Sequence, residues 1–70
     1  MLRRQFIIKL IEKYAEFFKN RNIEDVINEY NMVLQADWNF DKLFEMYIND
    51  WDKVTTPPAP AYFNKFANQV

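Results

Sequence analysis

Four carboxylates, Asp37, Asp41, Asp50 and Asp52, are the side chains in this sequence that most invite chemistry. Paired carboxylates can share a divalent cation, or divide the roles of general acid and general base. The spacing speaks against both uses. Asp50 and Asp52 stand two residues apart, which on a helix turns them to different sides. Asp37 and Asp41 suit a helix connection and a first turn, where negative charge meets the positive end of the helix dipole. No calcium-loop spacing is present, and there is no glycine to form the sharp turn of such a loop. The other usual catalytic groups are missing: the chain has no His, no Cys and no Ser. It also has no Gly, so a phosphate-cradling loop of the Walker or dinucleotide type cannot form. Catalysis would rest on carboxylates, Lys, Tyr and the hydroxyls of Thr55 and Thr56. The sequence therefore reads as a non-enzyme, with no catalytic residue, no cofactor and no metal site expected.

Binding is the remaining kind of chemistry. Residues 1–21 carry Arg3, Arg4, Lys9, Lys13, Lys19 and Arg21 against Glu12 and Glu16, while most of the acidic residues lie further on. A basic helix of this kind could touch nucleic acid through Arg3, Arg4, Lys9, Lys13 and Arg21. Two features make that the secondary reading: a net charge of −1, and the Lys9–Glu12–Lys13–Glu16 alternation, which pairs along a helix face. Among the large aromatics, Trp51, Phe63 and Phe66 fall at core spacing. Trp38 lies in a connection and is free to anchor a partner. The Met1-Leu-Arg-Arg opening is followed by charges at helical intervals and by no small-residue cleavage site. This excludes a signal peptide and points to a cytoplasmic protein.

These residues must be positioned by helices. Phe6, Ile7, Leu10, Ile11, Tyr14, Phe17 and Phe18 recur at three-and-four spacing and predict a helix over about 2–20. With Ile8 and Ala15 its apolar arc widens to about 200°, roughly twice the stripe that one core face needs. A helix that broad is either central to the bundle or packed against something outside it, and the expectation here is an external contact, with a partner or with a second copy. Phe6, Ile8 and Phe17 flank the arc and are, with Trp38, the expected partner-binding residues. Asn22 and Asn39 are good N-caps. They predict helices over about 23–36 and 40–53, with Met32 off the apolar stripe and exposed. The run Thr55-Thr56-Pro57-Pro58 stops the third helix, and Pro60 opens a fourth over about 60–68. No alternating strand pattern appears. The expected fold is all-α: a single domain over 1–70, built as a small three- to four-helix bundle with an aromatic-rich core. Thirteen aromatic residues in 70 make such a core feasible in so short a chain.

The order of the later features is more distinctive than any one of them. Tyr30, Val33 and Leu34 are followed by Asp37, then by Leu43 and Tyr47. A connector then closes on Pro57-Pro58-Ala59-Pro60-Ala61-Tyr62-Phe63. Over roughly residues 5–68 this pattern resembles the N-terminal helical domain of phage-encoded replicative-helicase loaders and inhibitors. In that family two packed helices lead into a Pro-Pro-x-Pro-Ala stretch that opens the next helix. Ala59 stands where the family usually places a hydroxyl cap, and the family's flexible C-terminal tail has no counterpart here. The resemblance implies a phage or mobile-element replication accessory factor that binds a replication protein such as the replicative helicase. The alternatives are a small nucleic-acid-binding regulator and a self-associating structural scaffold.

Overall fold

The computed structural model describes all 70 residues and contains helices and no strand. In chain order the elements are α1 (Arg3–Lys13), α2 (Ala15–Phe18), α3 (Ile23–Asn31), α4 (Phe40–Asp50) and a 3₁₀ segment (Pro60–Phe66). No helix is long and apolar enough to cross a membrane.

Local chemistry starts two of the helices. The Asn22 side chain accepts from the Asp25 N–H at 3.1 Å, and the Asn39 side chain accepts from the Lys42 N–H at the same distance. Each satisfies a donor that the first turn of a helix cannot pair internally. Glu24, Asp25 and Asp41 lie in those first turns, on the favourable side of the dipole. Met32, just past the end of α3, is exposed. The last residue is tied in as well: the Asn39 N–H donates to the Val70 carbonyl at 2.9 Å.

All four expected elements come out differently, and the second helix, expected over about 23–36, ends at Asn31. The first helix does not run unbroken to residue 20. It stops at Lys13, because Tyr14 takes φ −113° and ψ 43°, outside helical geometry. A separate four-residue turn, α2, follows. The break changes which phenylalanine faces inward: Phe18 is buried and Phe17 is half exposed. The third helix ends at Asp50, short of residue 53, and Trp51 turns extended so that its indole N–H donates to the Thr56 carbonyl at 2.8 Å. The fourth helix is 3₁₀. It starts from Ala59, which supplies no side-chain cap, and it follows two buried prolines that fix the backbone leading into it.

The core is one cluster of fifteen buried apolar and aromatic residues. Phe6 is its hub, with ring centroids 5.5 Å from Phe40, 5.5 Å from Phe63, 6.3 Å from Phe44 and 6.3 Å from Tyr47. Most of these pairs are edge-to-face, the arrangement that the ring quadrupoles favour. Tyr30 closes the connector from below: its hydroxyl donates to the Pro58 carbonyl at 2.5 Å.

Candidate partner-binding surface

Phe6, expected at an exposed flank, is 0% exposed. It offers nothing to a partner, because α4 and the 3₁₀ segment both close over that side of α1. Ile8 and Trp38 are half-buried and pack against the core edge, Trp38 with its ring 6.5 Å from Phe40. Phe17 is different. At 51% exposure it stands on the short α2 turn, with its ring edge-on to Phe18 at 5.1 Å. Of the four residues expected to bind a partner, Phe17 is the one with an exposed ring, while Ile8 lines a separate open cavity of about 590 Å³ with Met1, Leu2, Arg4, Gln5, Lys9 and Glu12.

The surface around Phe17 has relief. On one side of Phe17 is a cavity of about 240 Å³, lined also by Lys13, Tyr14 and Val54. On the other is one of about 330 Å³, walled by Arg21, Glu29, Tyr30 and the Thr56–Pro60 strap. The first continues, through the shared residues Lys13, Tyr14 and Val54, into a third cavity of about 220 Å³ that adds Tyr47, Ile48, Trp51, Asp52 and Lys53. Val54 is 86% exposed and Ile48 39%. Three large apolar side chains therefore border a groove of adjoining cavities beside the α1–α2 break.

Val54 and Ile48 were not singled out by the sequence. Ile48 shares the helical spacing of buried Leu43 and Tyr47, and Val54 sits in a connector without periodicity. The only cue was an unaccompanied valine ahead of Thr-Thr-Pro-Pro.

The groove floor holds two phenols. Tyr14 and Tyr47 are both buried, and their hydroxyl oxygens lie 3.2 Å apart. Burial, reinforced by the bond to Tyr14, pushes the Tyr47 phenol well above its ordinary range. The sequence did carry a signal for this pair: two phenols at core-facing positions, each needing a partner for its hydroxyl.

The five cations expected to meet nucleic acid are dispersed. The Arg3 guanidinium donates to the Leu34 carbonyl at 3.0 Å. Arg4 pairs with Glu24 at 2.6 Å, and that bond raises its already high pKa. Arg21 pairs with Glu29. Lys9 lies 5.8 Å from the Phe44 ring centroid, and Lys13 borders the groove beside Glu12 and Glu16. Only Arg4 and Lys9 share a cavity, where Glu12 stands beside them. No three carboxylates converge closely enough to hold a metal ion.

Compared with known proteins, the chain matches no family model, and no curated protein or solved structure matches it.

Proposed function

We propose that this chain is a non-enzymatic protein-interaction domain, a small helical bundle that docks a partner in the groove beside α2. Phe17 carries the reading: a large aromatic side chain, 51% exposed, that lines two cavities and shares one of them with Val54. Scattered exposed apolar residues are ordinary, whereas clustered ones that rim a concavity mark interaction sites. The non-enzymatic part rests on the residue types absent from the sequence.

The proposed partner is a replication protein, such as a replicative helicase, in the cytoplasmic replication machinery of a phage or mobile element. Support for it comes from the order of residues from Tyr30 to Phe63 that resembles the helicase-loader domain. The dispersed, partly paired cations make a phosphate-binding role the weaker reading. A phosphate would have to compete with Glu24 for Arg4 and with Glu29 for Arg21.

The test is a pull-down of purified replicative helicase and origin-binding protein with wild type and with a Phe17→Asp, Val54→Asp double variant, each checked for helicity. Retention by wild type and loss by the variant support the proposal. Equal retention by a folded variant removes the groove from it, and no retention by wild type removes the replication partner. Sedimentation across a concentration series runs beside it. A dimer that Phe17→Asp dissolves would assign the groove to a second copy and make the chain a scaffold.

A further inference from the structure

We propose that the cavity over the Tyr14–Tyr47 hydroxyl pair receives an acidic side chain of the docked partner, carried on a segment that alternates carboxylate and apolar residues. This rests on the docking groove described above and adds the chemistry of what enters it.

A proton count carries the argument. Each phenol brings one O–H. With the two oxygens 3.2 Å apart, one proton lies between them, and neither oxygen has a further hydrogen-bond partner within the protein. One O–H is therefore left without a protein acceptor, on side chains only 3% and 1% exposed. A buried donor in that state gains much from any acceptor that can reach it. Both tyrosines line the cavity of about 220 Å³, which is room enough for a carboxyl-bearing side chain.

The charges and walls around the cavity narrow the choice of acceptor. Lys13 and Lys53 border it, and neither is paired with a carboxylate. The Lys53 ammonium is held 5.9 Å from the Trp51 ring centroid, at the cavity wall. Asp52 opposes them, so this cavity holds two positive charges against one negative, with Glu12 and Glu16 lining the adjoining cavity beside Phe17. Ile48, Trp51 and Val54 supply apolar wall. A bare anion would leave that wall wet, and a purely apolar segment would leave the O–H and both ammonium groups unanswered. A segment carrying both characters answers all of them.

The test is a titration of ¹⁵N-labelled protein with a blocked peptide alternating leucine and glutamate, and with its glutamine counterpart. The expected result is saturable shifts confined to the surroundings of Lys13, Tyr14, Tyr47, Trp51 and Val54. Affinity should fall about fivefold with the glutamine peptide, and by a similar factor for a Lys13→Gln, Lys53→Gln variant given the glutamate peptide. A folded Tyr14→Phe, Tyr47→Phe variant should also bind the glutamate peptide more weakly, and unchanged affinity there would overturn the role of the free O–H. Equal affinity for the two peptides would overturn the acidic assignment while leaving the groove as a docking surface. The absence of saturable shifts would also overturn it, and docking at Phe17 would then be decided by the pull-down alone.

Discussion

The hydroxyl of Tyr30 reaches across 28 residues of sequence to donate to the carbonyl of Pro58, fastening α3 to the proline connector at 2.5 Å. Tyr30→Phe removes that donor and leaves a buried carbonyl unpaired. It should cost about 1–2 kcal/mol, read as a Tm fall of about 4–8 °C for each kcal/mol lost in a domain of this size.

The same tyrosine sets an alkaline limit. Burial pushes its phenol up to about 12, against about 10 in an unfolded chain. Above pH 10 the unfolded state has released a proton that the folded state still holds, so stability falls as pH rises. The contribution is whole below pH 10 and is lost between about 10 and 12. Tyr47 and Tyr62, also raised by burial, act in the same direction. Urea titrations at pH 7, 10 and 11 should show this loss, and Tyr30→Phe should make it smaller. A pH-independent midpoint would contradict it.

The phenol pair gives a double-mutant cycle. Tyr14→Phe or Tyr47→Phe alone strips the remaining hydroxyl of its single protein partner and should cost about 1–2 kcal/mol. The double variant removes both polar tips, so its cost should lie below the sum of the singles by about 1 kcal/mol. Strict additivity would mean that the hydroxyls do not interact.

Phe6 and Phe17 should separate stability from binding. Phe6→Ala empties the hub of the core, at about 3–5 kcal/mol. That is comparable to the whole stability expected of a domain this small, so the variant should be unfolded by circular dichroism at 25 °C. Phe17→Ala removes a half-exposed ring and should cost under about 1 kcal/mol. A folded Phe6→Ala protein would refute the hub assignment.

Asp50 tethers the 3₁₀ segment, its Oδ2 accepting from the Tyr62 hydroxyl and the Lys65 ammonium at 2.7 Å each. The bond from Lys65, then that from Tyr62, hold its carboxyl below the usual range. The linked stability is present above the unfolded carboxylate pKa of about 3.9 and is lost as pH falls through the folded value. Asp50→Asn should speed amide exchange in residues 60–66 and remove that acid sensitivity. Unchanged exchange would show that the tether holds nothing.

What could be read from the sequence was what depends on near neighbours. Asn22 and Asn39 cap their helices because the bond spans three residues, and Met32 is exposed because spacing alone puts it off the buried stripe. The break at Tyr14 was hidden, since no Pro or Gly marks it and the apolar periodicity runs through it. Hidden too was the meeting of the Tyr14 hydroxyl with that of Tyr47, 33 residues away. Phe6 was misplaced for a related reason. An arc of about 200° says that a helix has more apolar surface than one neighbour needs, but not which edge a second neighbour will cover. Of the groove, Phe17 was legible as an arc residue. Val54 was not, because its place beside Phe17 comes from the return path of the chain after α4.

The helices themselves are short: 11, 4, 9 and 11 residues, plus a 3₁₀ turn of seven. Isolated helices below about 12–15 residues are marginal in water, so each of these depends on the others for its existence. The Phe6 ring touches α4 and the 3₁₀ segment at once, and Tyr30 holds the strap between them. None of the α-helices can be loosened and leave the others standing. Their unfolding should be a single cooperative event, with core amides of every α-helix exchanging through the same global opening.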